Sequence, residues 1–267
     1  MRLSQIGILT LASLGLTFLA LPIAALVIRA ITTRAWEGAP GSLIPDAISL
    51  SFITTLATAI FTLLFGTPLA YIFARRKFRF KRLLNVLIEL PIVLPPAVAG
   101  LALLITFGRR GLLGPPLLAL GISLPFTVYA VIMAQAFVAA PFYIRAAQIG
   151  FRGVPVEIED AARVDGAGGW RLFTYITLPL SSHALAAGLI LSWARALGEF
   201  GATILFAGSL QGRTQTMPLL IYNIIEQDIN AAIWTGLILI GLGLLALLLS
   251  QWLSSLAQRN LHRSEEL

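Results

Sequence analysis

PVEIEDAARVDGAGGWRLFTYITLP, residues 155–179, is the stretch on which the reading of this chain turns. It is a polar interruption in a sequence that is otherwise strongly apolar. Pro155 fits a first helical turn, where a missing N–H costs nothing, and Glu157, Glu159 and Asp160 place negative charge at that helix N-terminus. Gly166, followed by Gly168 and Gly169, permits the backbone angles that end one short helix and begin another. Pro179 is expected to break the pattern just before the next apolar run. The segment therefore predicts a helix–turn–helix knob outside the bilayer, between two spanning segments.

The surrounding composition makes it a membrane protein. The 267 residues are 58% hydrophobic and 12% charged, against about a quarter charged in soluble domains, and the mean hydropathy is +0.88. Cysteine is absent, which excludes disulfides and thiolate metal sites, and the two histidines have no metal-binding spacing. The net charge of +7 is carried by residues beside apolar runs, a topology signal rather than a nucleic-acid footprint.

Spanning helices need about 20 apolar residues, and six are predicted near 6–29, 47–74, 83–107, 124–146, 184–207 and 231–256. The first is too long for a signal-peptide core and has no small-residue cleavage site after it. Thirteen of the 19 cationic residues fall on one side of such a topology: Arg2, the run from Arg75 to Arg82, Arg145 to Arg171, and Arg259 with Arg263. The positive-inside bias predicts that side, with both termini and the knob, to be cytoplasmic. Residues 112–124, rich in Gly and Pro, are expected on the opposite face as a re-entrant or surface segment.

Two intramembrane features stand out. Pro91, Pro95, Pro96 and Gly100 should distort the third span, and distorted backbone at membrane depth lines protein or a cavity rather than lipid. In the fifth span, Arg195 and Glu199 are four residues apart and are expected on one helical face, with Thr203 one turn further. An isolated charge there costs about 2.5–3.5 kcal/mol, so the two are expected to face the bundle interior and pair. Arg195, Glu199, Thr203, Pro95 and Pro96 are the candidate lining of a pathway or gate; a structural ion pair or simple kink is the competing role. No phosphate-cradling GxxxxGK[ST] motif is present, so hydrolysis of ATP by that route is excluded for this chain.

The knob also carries a resemblance. D-A-A at 160–162, Gly166, and I-T-L-P at 176–179 resemble the "EAA loop" of permease subunits of binding-protein-dependent ABC importers, with Asp160 where that family usually has Glu and Glu159 adjacent. R-A-L-G-E-F-G-A-T at 195–203 and the G-R-T-Q-T-M-P loop at 212–218 are similar to the tetrahedral-oxyanion branch. L-P-P-A-V-A-G-L at 94–101 and F-G-R-R-G-L-L-G at 107–114 lean towards molybdate.

The resemblance implies an all-α integral membrane fold in which 1–267 is one permease domain, 47–256 its core and 155–179 its coupling loop. It implies that Glu159, Asp160, Ala161, Ala162, Asp165, Gly166, Ile176, Leu178 and Pro179 serve docking of a cytoplasmic ATPase, which binds ATP and Mg. It further implies a prokaryotic inner-membrane location, a second permease subunit in a homodimer or as a paralogue, and an extracytoplasmic oxyanion-binding protein. No catalytic residue, metal or cofactor is expected in the chain itself. A sulfate or thiosulfate permease is the near alternative. An ATP-independent secondary transporter is the distant one, opposed by the knob and by the scarcity of intramembrane charge for ion coupling.

Overall fold

The computed structural model describes the backbone of residues 2–265 and the side chains of residues 5–248. Every regular element among them is helical. In chain order these are α1 (Arg2–Thr32), α2 (Leu43–Arg75), α3 (Lys81–Val93), α4 (Pro96–Phe107), α5 (Gly114–Ala119) and α6 (Val128–Gly153). There follow α7 (Val156–Val164), α8 (Gly169–Leu172), a π-turn (Phe173–Thr177), α9 (Leu178–Leu197), α10 (Gly201–Phe206), α11 (Met217–Ile225) and α12 (Ile229–Glu265). The terminal Arg2, Arg259 and Arg263 lie outside the described side chains.

Five stretches are long and apolar enough to cross a membrane: 5–32, 43–75, 128–153, 169–197 and 229–248. The sixth expected span, 83–107, is not one rod. It is α3 and α4, bent by 116° at Leu94-Pro95. The cause is local: a residue before proline is pushed out of the helical region. With two prolines in tandem, Leu94 (ψ 133°) and Pro95 (ψ 134°) are both extended.

The fifth span also differs from expectation, ending at Leu197 rather than 207. Gly198 caps it, and after Glu199 and Phe200 the chain restarts as α10. Pro179 does not break the pattern either. It sits in the first turn of α9, and the helical path continues from Gly169 to Leu197 because the preceding π-turn pairs the Leu178 N–H with the Phe173 carbonyl five residues back.

The bundle is built around α6, 61% of whose apolar window is buried, against 28% for α2 and none for α1. Small residues let neighbours approach it closely, as in membrane helices generally. A Cβ on Gly150 would lie 2.5 Å from Ala184 of α9, and one on Gly188 would lie 2.5 Å from Ala146. Ala70, Tyr143, Ile144, Ala147, Phe151 and Leu185 close the core where α2, α6 and α9 meet. Leu103, Val131, Val138 and Phe206 close a second core between α4, α6 and α10. Large apolar side chains on α1 and α2, such as Phe18 and Phe52, point outward, as expected where the solvent is lipid.

Candidate functional site: a coupling knob and a broken span

α7 starts directly after Pro155 and ends in a Schellman motif. The Ala167 N–H donates to the Ala162 carbonyl at 2.9 Å, the Gly166 N–H to the Arg163 carbonyl at 3.1 Å, and Gly166 has φ +87°. Only glycine adopts that angle at little cost, so the turn into α8 is written in the sequence at Gly166.

The knob's carboxylates divide by burial. Glu157, Asp160 and Asp165 are exposed, whereas Glu159 is 2% exposed. Arg75, the last residue of α2, donates to Glu159 Oε1 at 2.7 Å and to the Val154 carbonyl at 3.0 Å. The Thr177 hydroxyl donates to the same Oε1 at 2.8 Å, and Arg163 Nη2 lies 3.4 Å from Oε2. One carboxylate thus ties the end of α2, α7 and the π-turn together, with charge-assisted bonds that are stronger than neutral ones. Asp160, at the acidic position of the motif, pairs instead with Arg163 on the surface.

The remaining expected coupling residues separate in the same way. Ala162, Asp165, Gly166 and Ile176 line an open cavity of about 350 Å³ together with Arg171 and Tyr175. Ala161 is exposed nearby and Pro179 is exposed at the start of α9. Leu178 packs inward against the Tyr143 core. The outward face carries bare apolar side chains, with Val164 88%, Trp170 76% and Tyr175 78% exposed. A rigid base and an uncovered apolar face suit docking onto a partner protein.

At the far end of the helical path that begins at Gly169, Arg195 and Glu199 do pair, but not on a continuous helical face. Arg195 is in the last turn of α9, and Glu199 lies in the break beyond Gly198. Glu199 is 1% exposed. Its Oε1 accepts the Ala202 N–H at 2.8 Å, serving the first turn of α10. Its Oε2 is 2.8 Å from Arg195 Nη2 without hydrogen-bond alignment, so that contact is charge on charge.

Thr203, one turn on, is fully buried with its hydroxyl unpartnered. The prolines come to the same place. A Cβ on Gly201 would lie 2.5 Å from Pro96 Cβ, and one on Gly100 would lie 2.7 Å from the Ala202 carbonyl oxygen. Pro95 is the residue before that contact and is exposed. The two broken spans therefore cross at their breaks.

Sequence reasoning passed over three groups here. Arg75 and Thr177, partners of Glu159, were visible only as part of a basic run and of the I-T-L-P motif. Ser51, Thr55, Thr58 and Thr62 recur at helical spacing along α2 and are buried. They form a polar seam: Gln135 of α6 accepts from Thr58 at 3.0 Å and donates to Thr54 at 3.2 Å, and Ser51 accepts the Met217 N–H at 2.8 Å. That periodicity was the available signal.

Residues 66–260 match the family described as "Binding-protein-dependent transport system inner membrane component". Among curated relatives, the chain is 44% identical over 187 residues to the "Probable transport system permease protein NifC" of Clostridium pasteurianum, covering 69% of this chain and 65% of that one. It is 40% identical over 234 residues to the "Molybdenum transport system permease protein ModB" of Mycobacterium tuberculosis, covering 88% and 89%. Among solved structures, a chain of a bacterial alginate ABC transporter, crystallised with its periplasmic protein bound to alginate pentasaccharide, superposes with a TM-score of 0.74 at 17% identity, covering 95% and 94%. That likeness concerns the fold.

Proposed function

Because this chain belongs to the family of binding-protein-dependent transport system inner membrane components, we propose that it is the permease subunit of an ATP-driven importer for a tetrahedral oxyanion, molybdate or tungstate. The observation that carries the reading is the joining of the knob to the broken span. The helical path from Gly169 to Leu197 has 29 residues, about 43 Å at 1.5 Å per residue. Glu159 fixes its near end, through Thr177, to α7 and α2. Arg195 and Glu199 stand at its far end.

In this reading a cytoplasmic ATPase, which binds ATP and Mg, grips the exposed face of α7 and α8. Closure of the ATPase displaces the knob, and the long helix carries that displacement as a rigid body to the crossing of the two breaks. Arg195, Glu199, Thr203, Pro95 and Pro96 act there as a gate rather than as a standing anion site. Arginine attracts an oxyanion, but the adjacent glutamate repels it, and an importer must let its cargo leave. A second copy of the chain completes the pathway, and an extracytoplasmic binding protein supplies the oxyanion and most of the selectivity. The NifC and ModB relatives support molybdate; sulfate is the competing cargo, separated by competition on the cognate binding protein.

Two experiments test the arrangement. Affinity-tagged chain extracted in mild detergent is expected to bring a stoichiometric ATPase with it. A Gly166→Val variant, strained by about 1–2 kcal/mol at a positive φ, is expected to insert normally but to lose most of that ATPase and its transport. Full ATPase recovery with normal transport in Gly166→Val would remove the knob from the mechanism. The orientation is tested in the naturally cysteine-free chain. Gly168→Cys is expected to resist a membrane-impermeant thiol reagent in intact cells while Leu112→Cys reacts, and the opposite pattern would invert the topology.

A further inference from the structure

We propose that the α2–α3 turn and the outward face of α3 form an anchoring site for anionic phospholipid headgroups. The observations are independent of the transport reading. Residues 75–82 carry six cations, and only Arg75 is neutralised, by Glu159. Arg76, Lys77, Arg79, Lys81 and Arg82 have no carboxylate within ion-pair distance among the described residues.

The backbone presents these charges rather than folding them away. The Lys81 ammonium donates to the Arg76 carbonyl at 2.8 Å, closing the turn. Phe80 is held at φ +66°, a region bulky residues avoid. Phe80 is 62% exposed, with the Arg79 guanidinium 5.1 Å from its ring centroid. An exposed apolar ring beside cations can insert below headgroups while the cations meet their charge.

α3 continues the same surface. Leu83, Val86, Leu87 and Leu90 follow i, i+3, i+4, i+7 spacing and are all exposed. Its other side faces α6 through polar bonds, Gln148 Nε2 donating to Asn85 at 3.2 Å and Arg145 to Glu89 at 3.1 Å. Thirteen residues give about 20 Å of helix, short of a bilayer core of about 30 Å, and the 116° bend separates α3 from α4. Pairing Asn85 with Gln148 and Glu89 with Arg145 sets α3 antiparallel along α6, so its apolar stripe enters the bilayer beside lipid tails while the basic N-terminal turn stays at the level of anionic headgroups. Free oxyanions do not need the leucine stripe, and an acidic protein partner would leave it uncovered. Because Arg75 in the same turn holds Glu159, a bound headgroup adjoins the base of the knob.

The test uses the full-length chain in nanodiscs and spin-labelled lipids, measuring by electron paramagnetic resonance the immobilised fraction of phosphatidylglycerol against phosphatidylcholine. Phosphatidylglycerol is expected to be preferred about fivefold, the effect of roughly one effective cation at an anionic surface. The preference is expected to disappear when Arg76, Lys77, Arg79, Lys81 and Arg82 are all changed to glutamine, and to survive glutamine at Arg109 and Arg110. Should the multiple variant fail to insert, high salt on the native chain serves instead, since it screens exposed charge and is expected to abolish the preference. Equal retention of both lipids by the native chain would overturn the proposal. So would a preference that survives neutralisation, or displacement of the lipid by millimolar inorganic phosphate.

Discussion

Glu159→Ala is expected to weaken the knob by about 3 kcal/mol, the lower end of what one-sided removal from a buried ion pair costs. It would leave Arg75, whose side chain is 15% exposed, without its counter-charge, and the buried Thr177 hydroxyl with only the Leu172 carbonyl at 3.5 Å. Arg75 keeps the Val154 carbonyl, which is why the lower end applies. Measured by hydrogen exchange in detergent, the amides of 156–164 should lose about a hundredfold in protection, and the ATPase should dissociate. Asp160→Ala, which breaks only a surface pair with Arg163, should cost no more than about 1 kcal/mol. A cycle combining Glu159→Ala with Arg75→Met should show strong coupling, the double variant losing less than the two single variants together. Equal protection in Glu159→Ala and Asp160→Ala would move the anchor off Glu159.

The second large effect lies at the broken span. Arg195→Met alone strands a carboxylate that is 1% exposed, and is expected to destabilise the bundle by about 3–5 kcal/mol, visible as poor insertion or aggregation in detergent. Arg195→Met with Glu199→Gln strands no charge, and the glutamine oxygen can still accept the Ala202 N–H. Replacing a whole buried pair is often neutral or stabilising, so this double variant should assemble and hydrolyse ATP. If the pair gates the pathway, it should nevertheless transport poorly or leak. Uptake that is both normal and tightly coupled to ATP in the double variant would reduce Arg195 and Glu199 to a lock on the bundle.

What could be read from the sequence followed the range of the forces involved. The turn at Gly166 was legible because its chemistry lies within six residues, and the spans were legible because a long apolar run has few alternatives. The shapes of the third and fifth spans were not. Tandem proline fixes local angles but not the direction in which α4 leaves, and nothing in R-A-L-G-E-F-G says that Glu199 turns back to cap α10 instead of extending α9. The division of labour between Glu159 and Asp160 was hidden for a different reason. Adjacent carboxylates look alike until a partner 84 residues earlier in the chain, Arg75, selects one for burial. The α2 hydroxyl seam was visible as a period and was passed over because each Ser or Thr alone is unremarkable in a membrane helix.

The most direct test of the account is uptake into proteoliposomes containing this chain and its ATPase, with the oxyanion-binding protein on the outside and ATP trapped within. Radiolabelled molybdate should accumulate only when both ATP and the binding protein are present, and accumulation should fail in Glu159→Ala. Accumulation without ATP, driven by an ion gradient alone, would contradict it.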